Sequence, residues 1–162
     1  MITSINGFTL DTDIGLYDHS VALFSDMSYA FDATQGRRRM FKGEEFYWAA
    51  DQVFLGRECP QAMLATINGK IYKISYRFSD TQVTECKAIR DKAVDFIVGA
   101  LGEHPEIVIV DSDHKSLIWQ TNCGNVVLDA DCLETEIILT SNSVKNATKI
   151  SLFGRLFGKT GT

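Results

Sequence analysis

Residues Ile71–Ser141 read IYKISYRFSDTQVTECKAIRDKAVDFIVGALGEHPEIVIVDSDHKSLIWQTNCGNVVLDADCLETEIILTS, and the order of patterns within them decides the fold class. The opening run alternates. Tyr72, Ile74, Tyr76 and Phe78 fall on one side of an extended chain and Lys73, Ser75 and Arg77 on the other, because successive strand side chains point to opposite faces. One face is buried and one is wet, as in an antiparallel sheet covered on a single side.

From Thr81 the period changes. Cys86, Ile89, Ala93, Phe96, Ile97, Ala100 and Leu101 recur at helical spacing with Glu85, Lys87, Arg90, Asp91, Lys92 and Asp95 between them, which predicts an amphipathic helix over 81–101. Ser79 or Asp80 is the expected N-cap, and Gly102 with Pro105 beyond it the expected stop. Four alternating runs follow, EIVIVD, SLIWQTN, NVVLDAD and TEIILTS, joined by short turns. Parallel neighbours would need crossovers of about a dozen residues, so these links predict an antiparallel meander over 107–141.

Upstream, AMLATI and IYKISYRF flank Asn68-Gly69, the dipeptide that suits a type I′ turn, and predict a hairpin over 61–78. FYWAADQVFL (46–55) reads as one strand closed by Gly56. INGFTLDTDIGLYDHS suggests a short strand and a loop. VALFSDMSYAF (21–31) fits a strand or a few helical turns equally, and 35–45 is a basic, polar turn. The expected fold is α+β, an antiparallel sheet of about six or seven strands with the helix packed across one face. Residues 1–150 form a single domain, followed by an apolar and basic tail, 151–162.

Composition narrows the function classes. The chain has 162 residues, a net charge of −5 and a hydrophobic content of 45%, which suits a globular domain and disfavours a nucleic-acid binder lacking a basic face. The start, MITSINGFTLDTD, has neither a basic nor an apolar leader region, and no run reaches the about 20 apolar residues of a membrane span. A cytoplasmic location is expected. Cys59, Cys86, Cys123 and Cys132 make no CxxC pair and read as reduced, mostly apolar thiols.

Chemistry is hard to find. No HExxH, GxGxxG or P-loop spacing occurs, and no cofactor, metal or catalytic residue is expected. The best cluster is an acidic rim, in which Asp111, Asp113, His114, Asp129, Asp131 and Glu134 converge at one sheet end if the meander pairs through Gly124, with Asp131 near Ser116. Such a rim could hold a cation or supply a general base; solvated turn residues explain it as well. Arg37-Arg38-Arg39 with Lys42 and Phe41 is either a solvated tip or a phosphate contact. Tyr72, Tyr76 and Trp119 would line a groove if the sheet face were open, and Phe153, Leu156 and Phe157 in LFGRLFGK would form a short amphipathic docking segment.

In size, acidity and a strand–strand–helix–strand order the chain resembles type III secretion chaperones, an architectural likeness covering about half of its length. It departs from that family in having more strands after the helix and no long N-terminal helix. The resemblance implies a bacterial chain and carries no function by itself; acidity, small size, the absence of catalytic spacing and the apolar tail point to binding. The expected function is a non-catalytic protein-interaction module with a protein partner or self-association. The alternatives are a small metal-dependent enzyme using the acidic rim, and a ligand or peptide binder using an open sheet face.

Overall fold

The computed structural model describes residues 2–23, 40–58, 60–102, 104–111 and 114–149. The arginine cluster 37–39 and the tail 151–162 lie outside them. The strands are β1 (Ser4–Ile5), β2 (Phe8–Thr9), β3 (Val21–Leu23), β4 (Glu44–Ala49), β5 (Val53–Phe54), β6 (Arg57–Glu58), β7 (Gln61–Ile67) and β8 (Lys70–Ser79). Helix α1 (Val83–Leu101) follows, then β9 (Ile107–Asp111), β10 (His114–Gln120), β11 (Gly124–Ala130) and β12 (Glu134–Ser141). Eight of these strands form one sheet in the order β3-β4-β7-β8-β12-β11-β10-β9. Every pairing in it is antiparallel. The α+β class, the hairpin, the meander and the helix are as expected from sequence. None of the described helices is long and apolar enough to cross a membrane.

The meander runs back toward the hairpin, so that β12 pairs with β8 and β9 becomes the outer strand. β8 and β9 then point the same way, with three strands between them, and the link must return the whole length of a strand. Nineteen helical residues do this; they span about 28 Å, close to the length of seven- to eight-residue strands.

The core lies between the sheet and the helix. Ile89, Ala93 and Ile97 of α1 join Ile2, Ile5, Phe8, Leu10 and Ile14 of the N-terminal segment in the same apolar cluster. The β1–β2 hairpin turns through Asn6 and Gly7 with φ of 51° and 92°, the same dipeptide that turns β7 into β8 at Asn68 and Gly69. Across the sheet, Leu117, Leu128, Ile137, Tyr76, Ala62 and Ala49 stand directly opposite one another in one buried row. The far face has its own apolar row, Trp48, Met63, Ile138, Val127 and Ile118, interrupted by Ser75.

Three local expectations change. First, Tyr72 does not share a face with Ile74, Tyr76 and Phe78. The β7–β8 register jumps from Ala65↔Lys73 to Thr66↔Ile71, so Tyr72 is the extra residue of a bulge that sends its side chain to the other face. Ile71 takes its place in the main core, and Tyr72 packs edge-on against Phe41, centroids 5.7 Å apart. Second, the helix begins at Val83 with Gln82 as an N-cap that makes no side-chain bond; Asp80 is unavailable because its carboxylate is held by Arg57. Third, the 46–55 run is not one strand: positive φ at Asp51 and Leu55 breaks it into β4 and the small β5–β6 hairpin. Of the 21–31 run, which fits strand or helix equally, Val21–Leu23 form β3 and the rest lies outside the described residues.

Candidate interaction site

Helix α1 packs on β8, β12 and β11, and the sheet continues past it through β10 to β9. The core row does not stop where its cover does. Leu128 is 1% exposed, its neighbour Leu117 7%, and the next residue in that row, Val108, 54%. In the adjoining row Val110 stands beside Lys115 and is 70% exposed; on the opposite face Ile109, beside Ser116, is 51% exposed. Three consecutive β-branched residues therefore meet solvent on a strand that has no outer neighbour among the described residues. Edge strands are usually protected by lysine, proline or a bulge, and residues 107–110 contain none of these.

Between α1 and this edge lie two adjoining clefts of about 320 and 310 Å³ that share Arg90, Lys115 and Ala130. Leu117, Leu128 and Val110 supply apolar surface, while Lys87, Asp91 and Asp95 stand on the helix side. An apolar floor between mixed charges, beside an open row of backbone N–H and C=O groups, is suited to an extended peptide. Main-chain pairing supplies affinity in such sites and alternate side chains supply selectivity.

The acidic rim lies at one end of the same region and is less convergent than its spacing suggests. Asp129, not Asp131, faces Ser116, and Asp131 is set two residues further along. Asp129 Oδ1 accepts from Ser116 Oγ at 2.5 Å and lies 2.5 Å from His114 Nε2. The carboxylate thus separates the hydroxyl from the imidazole, whereas nucleophile activation needs the two in direct contact. Asp131 accepts from the N–H groups of Leu133 (2.8 Å) and Glu134 (2.7 Å). These two bonds lower its pKa, with smaller contributions from His114 and Arg77. Glu134 turns toward Ser79, 3.4 Å away, and Asp113 lies outside the described residues. Among the described residues no three His, Cys, Asp or Glu side chains are placed to share a metal ion.

The residues expected to line a groove are divided by the sheet. Tyr76 and Trp119 lie inside the main core, at 0% and 2% exposure. Tyr76 packs against Phe54 and donates to Gln52 Oε1 at 2.9 Å, and its burial pushes its pKa up to about 12. Tyr72, on the other face, donates to the buried carboxylate of Glu44, which also accepts from the Phe41 N–H at 3.1 Å. Tyr72 contributes to a separate polar cleft of about 340 Å³ with Asp11, Lys42 and Lys70. Phe41, considered as a base-stacking residue, is buried against it. Phe153, Leu156 and Phe157 lie outside the described residues.

The residues that the sequence reading passed over are Val108, Ile109 and Val110. Their signal is an unbroken β-branched run in EIVIVD, which reads like any buried strand until the strand order makes it an edge. No protein-family model, curated protein or solved structure matches the chain.

Proposed function

We propose that this chain is a non-catalytic protein-interaction module that takes up an extended polypeptide segment at β9, beside the α1 cleft. The observation that carries the reading is the exposure of Val108, Ile109 and Val110 on an outer strand. Burying a β-branched side chain of this size stabilises by roughly 1.5–3 kcal/mol. A strand added here would cover part of all three and pair with the outward main-chain groups of Val108 and Val110, which have no strand partner among the described residues. The polar groups at the rim serve turns and cross-strand bonds, which fits a binding role better than a reacting one.

The test is selection of a random-peptide phage library on the full chain, with Val110→Lys as the counter-target. Lysine at this exposed position leaves the core untouched and is a natural blocker of edge pairing. β-Branched, extended sequences retained by the wild type and rejected by Val110→Lys are the expected result. Sequences bound equally by both proteins, or none at all from wild type kept dilute enough to be monomeric, would overturn the reading.

A further inference from the structure

We infer that the segment taken up at β9 is β9 of a second copy, so that two sheets join antiparallel about a two-fold axis at Ile109; this rests on the interaction reading above.

The outer edge of a strand offers a ladder of donors and acceptors with which another extended backbone can pair, and here the sequence of the edge is its own complement. In an antiparallel pair, opposed residues must point to the same face. Val108 and Val110 share the helix side and Ile109 the other, so only registers matching even with even and odd with odd are allowed. Centring on Ile109 sets Val108 against Val110 of the second copy, Ile109 against Ile109, and Val110 against Val108. Each of the three exposed side chains then meets another. A shift of two residues one way puts Val110 against Glu106, and a shift the other way puts Ile109 against Asp111. An apolar side chain then faces an acid in place of a partner. The sequence thus favours one register.

Symmetry points the same way. An antiparallel contact of β9 with β9 is isologous and closes as a pair, consuming the edge in both chains, whereas pairing β9 with another edge of a second copy is heterologous and leaves one β9 edge open unless a ring closes. The pairing also completes the cleft. On the helix side the row Lys115–Val110 would continue into Val108 and then Leu117 of the second copy. The cleft beside α1, open toward the edge in the single chain, becomes half of a channel floored by both sheets and walled by two helices.

Three measurements on the full chain test this. Light scattering after size exclusion, from about 1 to about 500 μM, covers the range in which a small interface associates. The mass should rise from 18.1 kDa toward twice that value, and Val110→Lys should stay monomeric throughout. Ile109→Cys should form a disulfide-linked dimer under mild oxidation, because directly opposed residues in antiparallel strands lie about 4.5–5.5 Å apart at Cα, within disulfide reach. Leu16→Cys, more exposed than Ile109 at 72% against 51% and beside the β7–β8 turn with three strands between β8 and β9, controls for the native thiols and should not cross-link. Amide exchange at β9 should slow with increasing protein concentration. A wild type that remains monomeric, or a dimer that Val110→Lys leaves intact, overturns the inference. Should the chain remain monomeric while selected peptides still bind at β9, the second copy is wrong and the interaction reading survives; loss of both results removes both.

Discussion

Arg57, in a strand of two residues, forms an ion pair with Asp80, whose side chain is 2% exposed although that of Arg57 is 38% exposed. The contact fastens the β5–β6 hairpin to the point where β8 ends and the chain turns into α1. Asp80 also donates its backbone N–H to Leu133 O at 2.8 Å, tying the start of β12 to the same corner. The bond to Asp80 is the largest cause of the raised Arg57 pKa. Arg57→Ala strands a buried carboxylate and should lower unfolding free energy by about 1.5–3 kcal/mol, the range for hydrogen bonds to charged groups. Arg57→Ala combined with Asp80→Asn should cost less than the sum of the two single changes, measured by urea denaturation as a double-mutant cycle. Simple additivity would show that the pair is not coupled.

Gly124 pairs with Ser141 at the start of β11, where an added Cβ would lie 1.9 Å from the Thr140 carbonyl oxygen. Gly124→Ala must therefore push β11 and β12 apart and should destabilise by about 3 kcal/mol, the upper end of overpacking costs. Gly99, inside α1, has open space around its Cβ position. Gly99→Ala should stabilise by about 0.8–1 kcal/mol through helix propensity. Thermal unfolding of the two variants should shift in opposite directions.

Tyr76 is kept neutral by burial, its pKa raised from 10.0 to about 12. In the unfolded chain it ionises near 10, so the folded state holds the proton more tightly. Its contribution is complete below pH 10 and declines as pH rises toward about 12. Stability measured from pH 8 to 11.5 should fall more steeply in the wild type than in Tyr76→Phe. Parallel curves would mean that Tyr76 is ionised at an ordinary pH.

Asp131 is shifted the other way, by the N–H groups of Leu133 and Glu134. A depressed carboxylate stabilises fully above its unfolded pKa and loses that contribution as pH falls through the folded value. The stability difference between wild type and Asp131→Ala should be constant from pH 5 to 8 and shrink steadily in acid below pH 4. A difference that grows on acidification would contradict the Asx-type turn at the β11–β12 link.

Much of the fold is legible from periodicity. The alternation of β8, the helical stripe ending at Gly102 and the spacing of the meander all follow from local side-chain geometry. Periodicity puts Tyr72 with Tyr76, because a bulge is invisible until the partner strand imposes its register. Asp80 has the look of a cap, because its competing partner, Arg57, is distant in sequence.

The sequence by itself determined the α+β class and the antiparallel sense of the short-linked strands, since each depends on periods of two or 3.6 residues and on link length; the wet second face expected from Lys73, Ser75 and Arg77 is not found, Ser75 being 1% exposed beside a second buried cluster of Phe41, Ala65 and Tyr72. Tertiary structure alone decided which strand stands outermost. That depends on β12 choosing β8, a pairing that rests on long-range register and core burial rather than on any local pattern. It turns EIVIVD from an ordinary strand into an exposed edge.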